Sequence, residues 1–217
     1  MLDISAVLEE IKASPYEEMI VRAPHSGIIR FPEGLKPGDS VYGPQGVWKE
    51  KPGTLLADIE RERNVQPIRC TEKGEIAAVR SELDGTFVEA GTELVQFRHF
   101  LSKGEVVQAI LKRALHLFPA PERAKYYFAP AVDVKIKVSG PKAVTVRDGE
   151  EIFIMSRMKR EAPLRYSGPE GVIYALYFNY NQNVDAGAPL IGVCPPGMVE
   201  QVEEVVLRVQ TEWKERD

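Results

Sequence analysis

The sequence is poor in the residues that most often announce chemistry. It has two cysteines, Cys70 and Cys194, far apart in the chain. They exclude a disulfide framework and a Cys-x-x-Cys metal pair, and leave two half-buried thiols as the expectation. Three histidines, His25, His99 and His116, show no metal-ligand spacing. No apolar run approaches the ~20 residues needed to cross a bilayer. The first ten residues have neither the basic start nor the apolar stretch of a signal peptide. An excess of one charge is missing too: 28 Lys and Arg face 32 Asp and Glu, a formal net charge of −4. That balance gives no electrostatic case for nucleic acid or an anionic membrane. No P-loop, no glycine fingerprint after a strand, no Gly-x-Ser-x-Gly and no His-Glu-x-x-His is present. A small enzyme with a site between two domains therefore has no residue constellation behind it. The expectation is a cytoplasmic, reduced, non-catalytic protein.

What the chain does have is turns. It carries 17 glycines and 16 prolines in 217 residues, at corners such as Lys36-Pro37-Gly38-Asp39, Leu83-Asp84-Gly85, Arg147-Asp148-Gly149 and Asp185-Ala186-Gly187. Short β-branched and aromatic runs separate them, among them Gly27–Phe31, Val134–Val138, Glu151–Met155 and Val172–Phe178. This is the pattern of small all-β units. Three segments read instead as helices. The first is roughly Ser5–Ser14, where Val7, Leu8 and Ile11 continue a helical spacing that starts at Ile4, and the second is Lys103–Leu117, where Val106, Val107, Ile110, Leu111, Ala114 and Leu115 make an apolar face that runs on to Phe118. The third follows Pro195-Pro196-Gly197, with Val199, Val202, Val205, Val206, Val209 and Trp213 on one stripe. Their stripes are expected to pack against the rest of the protein. Association of copies through these helices is the alternative.

The two strand-rich regions align with each other. Val88–Val95 matches Val184–Ile191, Gly74–Val79 matches Gly171–Leu176, Pro67-Ile68-Arg69 matches Pro163-Leu164-Arg165, and Gly53–Leu56 matches Gly149–Ile152. Four blocks in one order indicate an internal repeat. In the second copy a Val-x-x-Gly element occurs twice, at Val146–Gly149 and Val184–Gly187, and the first copy has it at Val88–Gly91. That predicts two half-sandwiches related by a quasi-two-fold axis and joined by an exposed hairpin. The expected organisation is an N-terminal helix over 1–19, a first β domain over 20–98, a helical linker over 99–128, a second β domain over 129–195 and a C-terminal helix over 196–217.

This organisation resembles the biotinyl/lipoyl attachment domain family, a barrel-sandwich hybrid. The first copy carries the resemblance in Ala23-Pro24-His25-Ser26-Gly27, Gly38-Asp39-Ser40-Val41, Gly53, Ile68-Arg69-Cys70 and Val88–Leu94. The second carries it in Ala129-Pro130, Val146–Gly149, Leu164–Ser167, Gly171-Val172-Ile173 and Val184–Leu190. The resemblance implies a mainly β protein with two tandem barrel-sandwich hybrid domains and three peripheral helices. It also implies a modified lysine at the tip of the central hairpin, ten residues after the glycine of the first half. Ten residues after Gly149 stands Lys159, flanked by Met158 and Arg160. The equivalent after Gly53 is Arg63, in Glu60-Arg61-Glu62-Arg63-Asn64.

Lysine suits such a tip because its amine, on a long flexible stem, can attack an activated carboxyl group through its small neutral fraction. An arginine keeps its charge and cannot be the acceptor, so the first copy is the degenerate one. Met158 favours biotin over lipoate. The sequence departs from the family pattern at Ser156-Arg157, where Glu-Ala is usual, and at Arg160, where methionine is usual. The resemblance thus implies a carrier that presents biotin, or less well lipoate, on Lys159. Its partners would be a biotin protein ligase and subunits of biotin carboxylase and carboxyltransferase type. The competing expectation is an unmodified structural or adaptor subunit that docks through its β domains. Tyr42–Glu50 reads as an insertion, with Trp48 as a possible partner contact.

Overall fold

The computed structural model describes residues 4–215. They divide into two compact units. One is Ile11–Ser102, and the other joins Lys103–Lys214 to the N-terminal residues up to Glu10.

The first unit is built from eight strands: β1 (Tyr16–Arg22), β2 (Gly27–Arg30), β3 (Ser40–Val41), β4 (Leu55–Arg61), β5 (Asn64–Arg69), β6 (Gly74–Val79), β7 (Phe87–Val88) and β8 (Glu93–Phe100). They form two four-stranded antiparallel sheets, ordered β1-β8-β6-β3 and β5-β4-β2-β7. Raising each strand number of the first sheet by four, and counting past eight back to one, gives the second sheet in the same order. This is the quasi-two-fold relation the Val-x-x-Gly elements predict. The core lies between the sheets, with Ile29, Leu56 and Ile59 from one and Val41, Ile76, Leu94 and Phe97 from the other. Each fully buried aliphatic of this kind contributes roughly 1.5–3 kcal/mol.

The second unit repeats the arrangement. Its strands are β9 (His116–Pro119), β10 (Ala124–Phe128), β11 (Thr145–Val146), β12 (Glu151–Arg157), β13 (Arg160–Arg165), β14 (Gly171–Leu176), β15 (Asn183–Val184) and β16 (Pro189–Cys194). Its sheets run β11-β14-β16-β9 and β13-β12-β10-β15, the orders of the first unit with eight added to each strand. Local constraints repeat as well. Gly74 lies so close to the Arg98 carbonyl that a Cβ there would overlap it, and Gly171 stands in the same relation to the Cys194 carbonyl. The cores have diverged. Where the first unit has Ala57, the second has Phe153, stacked on Phe128 with ring centroids 4.8 Å apart and edge-on to Phe178 at 5.5 Å.

Helices complete the second unit. Ile4, Val7 and Leu8 of α1 (Ile4–Ala13), Val106, Ile110 and Leu111 of α2 (Lys103–Ala114) and Val202, Val205 and Val209 of α4 (Val199–Glu212) are buried. Ion pairs Arg113–Glu10 (2.8 Å) and Arg208–Glu9 (3.4 Å) link α1 to α2 and α4. The apolar stripes are thus buried within the chain.

Three expectations need correction. The N-terminal helix does not fill 1–19: α1 ends at Ala13 and β1 of the first unit begins at Tyr16, before residue 20. The helical linker over 99–128 does not exist as such. Its first two residues end β8, α2 stops at Ala114, and β9 and β10 follow. The second copy therefore starts before residue 129, and Ala120-Pro121 is the counterpart of Ala23-Pro24. The backbone shows this directly. The Ala23 amide donates to Thr92 and its carbonyl accepts from Gly91, whereas Ala120 makes the same bonds with Ala188 and Gly187. His116 and Phe118 extend the helical stripe in sequence, but pairing of β9 with β16 outweighs helix propensity.

Val134–Val138, expected as a strand, lies in a fourth helix, α3 (Pro130–Ser139). Pro130 presets the first turn. Val132 and Ile136, four apart, pack on the core, and Lys137 pairs with Asp133 at 2.6 Å.

Candidate functional site

The two central hairpins, β4–β5 and β12–β13, close in the same way. Arg61 pairs with Asn64 in the first and Arg157 with Arg160 in the second, so each turn has two residues. Those two residues are Glu62 and Arg63 (φ 53° and 66°), and Met158 and Lys159 (φ 47° and 63°). Positive φ at both central positions defines the type I′ turn, which suits the strand twist and favours Asn-Gly. A residue with a Cβ is strained there by roughly 1–2 kcal/mol. The chain places no glycine at any of the four positions. The side chains at these tips are held against the local backbone preference.

Lys159 stands at the exposed tip of the β12–β13 hairpin. Among the described residues no hydrogen bond or ion pair holds its ammonium. Met158 beside it is 86% exposed, an apolar side chain with almost no packing. Arg157 pairs with Glu122 at the stem of the hairpin. Arg160 lies on the other face, over a groove it shares with Glu122, Met155 and Ala162. The geometry thus presents one free primary amine at the end of an exposed two-stranded arm. Arg63 occupies the equivalent place on the first unit.

Around the two tips the outer sheet faces differ. In register across β13, β12, β10 and β15 stand Glu161, Ser156, Lys125 and Asn183. The same row on β5, β4, β2 and β7 is Val65, Glu60, Ile28 and Phe87. The first unit therefore exposes apolar side chains, Phe87 at 69%, where the second exposes polar ones. Lys125, Asn183, Ser156 and Lys159 line an open groove of about 590 Å³ together with Arg123 and Arg157. The sequence reading missed Arg123, Lys125 and Asn183 as members of the site, because it placed β10 inside a helical linker. The alternation Ala124-Lys125-Tyr126-Tyr127-Phe128, buried at every second position, was the available signal.

Of the other residues singled out, Trp48 stands outward from its loop. It is 88% exposed on a loop held by Gln45–Lys51 backbone bonds of 2.9 and 3.1 Å. His116 lies in β9, not in a helix, with Nε2 3.2 Å from the Ser167 carbonyl and its ring edge-on to Tyr166. Burial raises both thiols, Cys70 and Cys194, above the usual cysteine range and keeps them protonated. No group of three His, Cys, Asp or Glu among the described residues could hold a metal. Among them, no helix is long and apolar enough to cross a membrane.

No protein-family model and no curated protein matches the chain.

Proposed function

We propose that this protein is a non-catalytic carrier, and that its second unit, a barrel-sandwich hybrid of the biotinyl/lipoyl type, bears biotin on Lys159. The observation that carries the reading is a free lysine at a left-handed tip position where glycine would be cheaper. Its counterpart in the internal repeat is an arginine that cannot be acylated. In the attachment step the neutral Lys159 amine attacks the activated carboxyl carbon of the cofactor. The N–C amide bond forms, the activating group leaves with its oxygen, and the nitrogen gives up one proton to solvent. The amide removes the lysine charge and lengthens the arm. Tethering then replaces bimolecular delivery between two active sites by an intramolecular visit at high effective concentration. The bound group supplies the carboxyl-carrying chemistry, and the protein supplies the hairpin that presents it. A biotin protein ligase and subunits of biotin carboxylase and carboxyltransferase type are the partners this reading requires, in the cytoplasm.

Intact-mass spectrometry of the protein purified from its native source tests the reading. The expected result is a mass increment of one biotinyl group and streptavidin reactivity, both lost in Lys159→Arg. A lipoyl increment would move the proposal to the other cofactor, and a wholly unmodified native protein would overturn it.

The exposed row Val65, Ile28 and Phe87 and the outward Trp48 favour a second reading, an unmodified adaptor that docks through its first unit. It predicts co-purification with a partner enzyme that survives Lys159→Arg and fails in a Phe87→Asn, Trp48→Ala variant.

A further inference from the structure

The two tips differ in charge, one balanced and one cationic. In the first unit the carboxylates Glu60 and Glu62 interleave with Arg61 and Arg63. In the second, Ser156 and Met158 replace those carboxylates, and the tip reads Arg157-Met158-Lys159-Arg160. The groove beside it is lined by four cations, Arg123, Lys125, Arg157 and Lys159, and by no carboxylate. Glu122 and Asp185 each take up one arginine from the rim, Arg157 and Arg123 respectively. Among the described residues no ion pair takes up Lys125 or Lys159; Ser156 and Asn183 flank Lys125 as neutral hydrogen-bonding groups, and the nearest carboxylate of that row, Glu161, stands beyond Ser156 and outside the groove lining. This cationic face sits on a chain whose formal net charge is −4. Overall charge therefore does not produce it.

We propose that the groove beside Lys159 is a recognition surface for an acidic protein segment, through which a partner enzyme engages the lysine-bearing hairpin. It names the partner chemistry for the tip and in that sense rests on the carrier reading, but the binding itself requires no modification of Lys159. Carboxylates of an extended segment laid along β10 and β12 meet Lys125 and Lys159, and its backbone amides meet Asn183 and Ser156. Charge complementarity of this kind sets partner choice and encounter rate. A patch confined to one groove is too short to track a nucleic-acid backbone, and the acidic remainder of the chain repels one.

The test uses full-length, isotope-labelled, unmodified protein and a hexaglutamate peptide, followed by amide NMR shifts. Shifts are expected at Lys125, Ser156 and Asn183, with an affinity that falls as salt is raised past the ~10 Å Debye length of 0.1 M. Lys125→Glu is expected to weaken binding about tenfold. Lys135→Glu, the same charge change on the exposed residue of α3 outside the groove, is expected to leave it intact, as is the charge-preserving Lys159→Arg. The proposal is overturned if Lys135→Glu weakens binding equally, or if the shifts fall elsewhere. It is also overturned if inorganic phosphate reproduces them at the same affinity, or if oligothymidylate binds tighter than the peptide. Absence of modification in the native protein would sink the carrier reading and leave this binding result untouched.

Discussion

Lys159 and Arg63 occupy the same corner of matching two-residue turns, with φ of 63° and 66°. Replacing either by glycine relieves left-handed strain but loosens the unfolded chain, and the first effect is the larger. Lys159→Gly and Arg63→Gly are each expected to stabilise their own unit by about 1 kcal/mol. Lys159→Val, with a branched Cβ at positive φ, is expected to destabilise it. Thermal denaturation of the three variants checks this. A Lys159→Gly protein that melts lower than the parent would show that the tip side chain is part of the fold, not a presented group.

Two tyrosines of the second unit contribute to the alkaline limb of stability. Burial, reinforced by the nearby Asp148 carboxylate, pushes Tyr166 up to about 12. Its hydroxyl donates to the Pro169 carbonyl at 2.9 Å. Burial, together with the hydroxyl's bond to Asp133, also takes Tyr180 up to about 12. Both folded values lie above the ordinary tyrosine value of 10. Their contribution is therefore complete below pH 10 and is lost as pH rises toward 12. Tyr166→Phe should cost about 1 kcal/mol at neutral pH through the lost hydrogen bond and shallow the fall above pH 10. Urea melts at pH 7, 9.5 and 11 measure both effects, and an unchanged alkaline slope would count against the assignment.

Much of this architecture is written in the turns. The Val-x-x-Gly corners and the Pro67 and Pro163 blocks place the two hairpin tips in register, because a tight turn tolerates few residue types. The beginning of the second copy is not legible in the same way. Ala120-Pro121 and Ala129-Pro130 look alike in sequence, and only the bonds from Ala120 to Ala188 and Gly187 separate a sheet crossover from a helix start. Leu115 and Phe118 continue the α2 stripe by spacing, yet Phe118 is buried as a strand residue against Phe153. The cationic groove was hidden for the same reason. Lys125 joins Ser156 only through the β10–β12 pairing, which is a long-range contact.

The separate cores predict separable losses. Phe153 is fully buried among Phe118, Tyr126, Phe128 and Phe178. Phe153→Ala removes most of that packing and should cost about 3–5 kcal/mol. The first unit has its own core, without Phe153. Calorimetry should therefore show a transition of the second unit moved down by many degrees and a transition of the first unit that stays. A single transition moved as a whole would show that the two units unfold together. Amide exchange at Ile29 and Leu56, unprotected in the variant, would say the same.

One buried polar atom has no partner among the described residues, the hydroxyl of Tyr177. Burial raises its ionisation above the usual tyrosine range, as expected for a group cut off from solvent without a donor beside it. An unsatisfied buried hydroxyl costs about 1–3 kcal/mol, and its removal leaves the ring packing in place. The ring lies against Gly192, where an added Cβ would come within 3.2 Å of it. Tyr177→Phe is therefore expected to raise the stability of the second unit by about 1 kcal/mol. Gly192→Ala, which presses on the same ring and on Leu115, should lower it. Denaturant midpoints of the two variants decide the matter. A Tyr177→Phe protein less stable than the parent would mean that a bound water satisfies the hydroxyl and that the site is polar by design.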